Sequence, residues 1–202
     1  MGMEIAVAEQ SDIGECAAVL AAAFADDPIM CVLWPNRRWR HRVLPGYFAA
    51  SIRYHHLQGG AVDVARDHGR IFAVADWDPP GREQQSVGDT LRAGPTFIRL
   101  FRHRLLNAIA VRRTLDSHAP APPFWYLAHI GSHPSARGRG YAQALMTHRL
   151  RRADADGGSA YLVCTSAETT SFYEHHGFAV STTFRLGASG PQLWGMVRAG
   201  AQ

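Results

Sequence analysis

The sequence predicts an α+β fold in one domain spanning residues 1–202, and three observations carry that expectation. Apolar residues alternate at period two in paired runs joined by glycine-containing turns, 61–66 with 71–77 and 178–186 with 193–197. Between these runs apolar residues recur at helical spacing. Residues 124–165 read strand, helix, strand, so the sheet is expected to be mixed.

Taken in order, residues 5–7 form a short strand. Ser11 then caps a helix whose first turn carries Asp12 and Glu15, favourable beside the positive helix end. Ile13, Ala17, Leu20 and Phe24 form its inner face, and Asp26-Asp27-Pro28 stops it. A second helix is expected over 38–57, kinked at Pro45-Gly46 and ended by Gly59-Gly60. The hairpin 61–77 turns at His68-Gly69 and is closed off by Pro79-Pro80-Gly81. One or two helices occupy 94–115, and Pro120, Pro122 and Pro123 make a rigid connector. Aromatic and branched residues make 124–130 a strand. A turn through Pro134 and Gly138 leads to a helix from about 140 to 153. After Gly157-Gly158 come a strand over 160–165 and a short helix, capped by Thr169 or Thr170 and ending at Gly177.

Composition narrows the function. With 47% hydrophobic and 19% charged residues, the chain reads as a globular protein with a full core. A formal charge of +4 suits an anionic ligand but falls short of a nucleic-acid binder, so no nucleic acid is expected. The arginine-rich runs 37–42 and 99–104 read as solvated or amphipathic helix faces. Cys16, Cys31 and Cys164 are odd in number and widely spaced, which suits reduced thiols and a cytoplasmic location. The first twenty residues carry four acids and do not form a signal peptide, and no stretch approaches the roughly twenty apolar residues of a membrane span.

The most informative segment is Arg137-Gly138-Arg139-Gly140-Tyr141-Ala142, between a strand and a helix. The first amides of a helix have no internal partner and donate readily to phosphate oxygens. Gly138 and Gly140 remove side chains that would hold a pyrophosphate away, Arg137 and Arg139 add positive charge, and Ala142 keeps the first turn small. The ending of a mononucleotide-binding loop is absent, and the spacing fails the dinucleotide fingerprint.

The segment from Ile130-Gly131-Ser132-His133-Pro134 to Ala142 resembles motif A of the GCN5-related N-acetyltransferase (GNAT) family, with Arg137, Gly140 and Ala142 in the signature positions. Thr169-Thr170-Ser171-Phe172-Tyr173-Glu174-His175-His176-Gly177-Phe178 resembles the family's motif B. The arrangement over 125–198, together with residues 21–26, is similar to the subgroup containing puromycin N-acetyltransferase. This resemblance implies a mixed, mostly antiparallel central sheet flanked by helices. It implies acetyl-CoA as cosubstrate, gripped at its pyrophosphate by amides from about Gly138 to Ala142. The strand bearing Ile130 and Ser132 would line the pantetheine arm, and Thr169 and Phe172 would complete the cofactor site. Where relatives commonly carry Asn and Glu, this chain has Thr169 and Val163, so a carboxylate role on that strand is lost.

The implied reaction is attack of a primary amine on the acetyl thioester. Tyr173 stands where the family's tyrosine reaches the coenzyme sulfur, as general acid or as an aromatic packing residue. His129 and His133 are the candidate bases, by virtue of a ring that titrates near neutrality. Asp26 and Asp27 would hold a cationic amine, and Trp34 and Tyr54, with Trp39 and Tyr47, would line an aromatic acceptor pocket. No metal is expected, because His55-His56 and His175-His176 are adjacent pairs without the usual ligand spacing. The expected activity is acetylation of a small-molecule amine, with antibiotic resistance among its roles. Protein or peptide acetylation and non-enzymatic acyl-CoA sensing are the alternatives. Pairing of a terminal strand would make a homodimer.

Overall fold

The computed structural model describes residues 2–57, 61–81 and 87–200, with 87–92 as backbone alone. Strands β1 (Glu4–Val7), β2 (Val62–Asp67), β3 (Arg70–Asp78), β4 (Trp125–Ser132), β5 (Ala160–Cys164), β6 (Ala179–Arg185) and β7 (Gln192–Arg198) form one sheet. Its order is β1-β2-β3-β4-β5-β7-β6. Every pairing is antiparallel except β4 with β5, which are parallel. Both expected hairpins and the strand-helix-strand unit are present.

The helices are α1 (Ile13–Ala23), α2 (Pro28–Leu33), α3 (Arg37–Ser51), α4 (Val87–Phe101), α5 (Leu105–Ser117), α6 (Tyr141–Ala155) and α7 (Ala167–Glu174). One face of the sheet carries α1 and α3, packed through Leu20, Leu44, Phe48, Val64 and Val74. The other face carries α6, whose Leu145, Met146 and Leu150 meet Ala73, Ala75, Trp77 and Leu127. The strands that run between two layers are therefore apolar on both faces, as buried strands must be.

Several local starts differ from the expected ones. Glu9 and Asp12 form a reciprocal capping box around a short 3-10 turn, in place of a Ser11 cap. An additional helix, α2, begins at Pro28 because Asp27 accepts bonds from the amides of Ile29 (2.9 Å) and Met30 (3.0 Å). Ser166, and not Thr169 or Thr170, caps α7 by accepting from Glu168 N at 3.3 Å. The helix α3 continues through the exposed Pro45 and gives way at Ile52–His56 to a single π-type turn. The expected stop at Gly59-Gly60 lies outside the described residues.

Two contacts lock the layers. On β4, a side chain at Gly131 would put its Cβ 2.6 Å from Ala23 Cβ, so glycine alone lets α1 lie this close to the strand. On the opposite face Arg149 of α6 donates to Asp63 of β2 from Nε (2.8 Å) and Nη2 (2.6 Å), with both side chains almost wholly buried. Its guanidinium also lies over the Trp125 ring, 5.4 Å from the centroid. Removing one partner strands a buried charge. Arg149→Ala is expected to cost about 3–5 kcal/mol of stability, and Asp63→Leu with Arg149→Met to recover most of it, read from urea unfolding midpoints.

Candidate functional site

The site begins where β4 and β5 separate. Only Trp125, Tyr126 and Leu127 pair with β5, opposite Ala160, Tyr161 and Leu162. Beyond them β4 continues to Ser132, still paired with β3, while β5 ends at Cys164. An irregularity at Asp76/Trp77 leaves Ala128 as an extra residue on β4. The β4 amides beyond Leu127 thus have no ladder partner on β5 and face a wedge-shaped gap.

Below this gap lies a cavity of about 520 Å³. Its floor is His129, Ile130 and Tyr126 of the sheet, its near wall Phe24, Tyr47 and Asp27, and its far wall Phe97, Phe101, Leu105 and Val111 of α4 and α5. Thr165, Thr169 and Tyr173 close the side next to β5. Phe24, Tyr47 and Phe48 pack edge-on against the His129 ring at centroid separations of 5.1 to 6.4 Å. The cavity is mainly apolar; Arg112 of α5, paired with Asp116, lines it, and two further polar places stand out.

The first polar place is Asp27. Besides capping α2, it accepts a 2.7 Å hydrogen bond from Thr165 Oγ1, tying α2 to the end of β5. Burial pushes its carboxyl pKa up against those hydrogen bonds. The second is a buried histidine-aspartate cluster. Asp76 and Asp78 stand two apart on β3 and so share a face. His129 Nδ1 lies 3.2 Å from Asp76 Oδ2, His56 Nδ1 2.8 Å from Asp78 Oδ1, and His55 Nε2 3.2 Å from Asp78 Oδ2. The π-type turn brings both neighbouring imidazoles to one carboxylate. Burial opposes charge on His56, but Asp78 and Asp76 outweigh it and raise its pKa. Burial likewise opposes charge on Asp78, yet the two imidazoles hold it well below the usual carboxylate range.

Tyr173 projects from α7 into the cavity beside Phe172, and its desolvated hydroxyl is held far above its ordinary pKa. Thr169 Oγ1 donates to Ser166 O at 3.0 Å and lies 3.1 Å from Cys164 Sγ. His133 is not beside the cavity: it starts the turn after β4, with Nδ1 2.7 Å from Ser135 Oγ. Asp26 also points away, exposed and paired with Arg40 at 3.2 Å. Trp34 is buried in a stack on Phe101 with centroids 4.8 Å apart, and neither it nor Tyr54 lines the cavity.

The Arg137–Ala142 segment lies at the far end of the gap. Gly138 (φ 74°) and Gly140 (φ 81°) adopt left-handed conformations, and Gly140 is the N-cap of α6. A Cβ at either would meet nothing within 4 Å, so backbone conformation and not crowding demands glycine. Arg137 is exposed. Arg139 instead packs over Phe72 and Tyr141, and both Arg139 Nη2 and Tyr141 Oη lie within 3.4 Å of Asp67 Oδ2. Those two residues brace the turn, while the Arg137 side chain stays exposed beside it.

Sequence reasoning gave Asp76, Asp78, His55 and His56 no functional role. A signal was present in Ala75-Asp76-Trp77-Asp78, where two acids fall on one face of an otherwise apolar strand. The histidines lie 20 or more residues away in the chain, so only the fold discloses the pairing.

The architecture and the match of residues 96–180 to the acetyltransferase (GNAT) domain give this chain the fold of the GNAT acetyltransferases, an enzyme class that uses an acyl-CoA cosubstrate. It is similar to an uncharacterized N-acetyltransferase of Schizosaccharomyces pombe, 24% identical over 88% of this chain and 75% of that one. It is similar in structure to a histone acetyltransferase HPA2-related acetyltransferase of Corynebacterium glutamicum, with TM-score 0.78 and 27% identity over 100% of this chain and 98% of that one. A polyamine N-acetyltransferase of Drosophila melanogaster shares the fold at TM-score 0.59 and 18% identity, over 98% and 100%. Among the described residues no helix is long and apolar enough to cross a membrane.

The Asp27 junction gives a direct test of the local architecture. Asp27→Ala is expected to cost about 0.5–2 kcal/mol through the lost cap, measured as a lowered unfolding midpoint; an unchanged midpoint would remove Asp27 from the support of α2.

Proposed function

We propose that this protein transfers an acetyl group from acetyl-CoA to the primary amine of a small, largely apolar molecule. The observation that carries this is the aromatic cavity opening directly beneath the parted strands, with Tyr173 on its rim. The α6 N-terminal amides from Gly138 to Ala142, with Arg137, take the pyrophosphate, and the β4 edge through Ile130 and Ser132 receives the pantetheine arm. Phe172 and Thr169 border that arm from α7.

With the thioester in the gap, the amine nitrogen attacks the carbonyl carbon, and the unpaired β4 amides stabilise the oxyanion. The C–N bond forms and the C–S bond breaks. Tyr173, whose raised pKa keeps its hydroxyl protonated at neutral pH, gives its proton to the departing thiolate and regains one from solvent. The amine proton passes to the polar end of the cavity, where His129 faces the acceptor and His133 does not. Asp27 offers a half-buried acceptor for an amine or hydroxyl on the incoming molecule. Resemblance to the puromycin-acetylating subgroup makes aminonucleosides the first acceptors to try, and a resistance role follows if they react.

Thiol release from acetyl-CoA is the decisive assay, run with aminonucleosides, arylalkylamines, aminoglycosides and peptides. Release with apolar small amines is expected. Release with peptides alone would point to protein acetylation, and coenzyme binding without release would point to a sensor. Tyr173→Phe is expected to lower kcat at least tenfold with acetyl-CoA affinity unchanged; equal turnover would remove Tyr173 from the mechanism. For Tyr173 the sign with pH is simple: its raised pKa keeps the acid form available past about pH 10, the ordinary tyrosine value. Gly140→Ala forces a left-handed alanine at a cost of about 1–2 kcal/mol. Calorimetric titration should show coenzyme A binding weakened about 5- to 30-fold.

A further inference from the structure

Asp76 is fully buried, and its Oδ1 has no hydrogen-bond partner among the described residues. Its other oxygen has one long contact, 3.2 Å to His129 Nδ1. A carboxylate left so poorly satisfied is costly. Moreover it is not isolated: ligating atoms of His56, Asp76 and His129 all lie within 4.8 Å of one another, and so do those of His55, His56 and Asp78. Two buried carboxylates and three imidazoles therefore share one pocket beside the acceptor cavity.

We propose that His56, Asp76 and His129 form a binding site for a divalent transition metal of the zinc type. Two imidazoles and one carboxylate are a donor set that such ions favour and that magnesium and calcium do not. Tetrahedral bonds of about 2.0–2.1 Å put neighbouring ligand atoms about 3.3 Å apart. The His129 Nδ1 to Asp76 Oδ2 separation of 3.2 Å already spans one such edge. The rest of the arrangement supplies the support a metal-bound histidine needs. Asp78 can only accept, so it fixes the proton on His56 Nδ1 and leaves Nε2 to ligate. His55 holds the second oxygen of Asp78 in place. Charge also balances: a dication offsets Asp76 and Asp78 with all three imidazoles neutral, while Arg112, the cation that faces Asp78 from α5, is paired with Asp116 at 2.9 Å. Three protein ligands leave a fourth position, and His56 and His129 both border the cavity, so that position opens towards it.

An ion held there takes the one lone pair of a neutral His129, so in the metal-bound protein the amine proton leaves to solvent and His129 is not the base. Binding is therefore read directly and does not depend on the acetyl-transfer reading. The tag-free protein is dialysed against Zn²⁺ with millimolar Mg²⁺ present, and bound metal is counted by mass spectrometry. One Zn²⁺ per chain is expected, with affinity falling more than 100-fold in Asp76→Asn and in His129→Gln. Asp78→Asn should lose about 10- to 100-fold. A His175→Ala/His176→Ala variant should bind as the parent does. Co²⁺ gives a check that needs no variant: intense visible bands of a tetrahedral ion are expected, saturating at one equivalent. Weak octahedral bands, substoichiometric binding, or Asp76→Asn and His129→Gln proteins that bind like the parent would overturn the proposal.

Discussion

The parting of β4 from β5 governs the rest of the molecule. Among the described residues these are the only parallel neighbours in the sheet, and they stay paired over three residues. Parallel strands need a crossover, and here α6 supplies it, so the helix must start where β4 ends. The gap and the amide-rich start of α6 are therefore consequences of one topology. The extra residue at Ala128 sharpens the divergence, because it turns His129 towards α3 while Leu127 still faces α6.

Holding a sheet open at its centre costs ladder hydrogen bonds, so its flanks have to be rigid. Gly131 lets α1 lie directly against β4, and the buried Arg149–Asp63 pair fixes α6 to β2 on the other face. Asp27 performs the same service at the β5 side, capping α2 and accepting from Thr165. Each brace joins a helix to the part of the sheet on one side of the gap. Rigidity matters here because a catalytic geometry misplaced by about 1 Å can lose two orders of magnitude in rate.

The sequence disclosed most of this architecture wherever the signal was local. Alternation in residues 61–77 and 178–197 located both hairpins, and the glycines around Arg139 marked the turn before α6. Tyr173 was legible because a short aromatic motif surrounds it. Signals that depend on distant partners were not. Trp34 and Tyr54 have pocket-like chemistry, but Trp34 is consumed by its stack on Phe101 and Tyr54 stands away from the cavity. Ser11 has the chemistry of a cap, yet Glu9 and Asp12 satisfy each other first. Asp76 and Asp78 would have been unremarkable on an exposed strand; their meaning comes from burial and from histidines delivered by an irregular turn of α3.

This contrast explains why the two halves of the site differ in how they can be read. Recognition of a pyrophosphate needs only backbone amides and glycine conformations, which six consecutive residues encode. The cavity beyond it is lined by side chains from α2, α3, α4, α5, α7 and three strands, so no short segment encodes it. Such a surface changes its chemistry through single substitutions without disturbing the fold, since apolar walls tolerate many shapes. The buried acids are the exception, because a carboxylate placed on an interior strand face is unfavourable unless a partner satisfies it. Their presence beside a mainly apolar cavity therefore sets it apart from one built for packing alone.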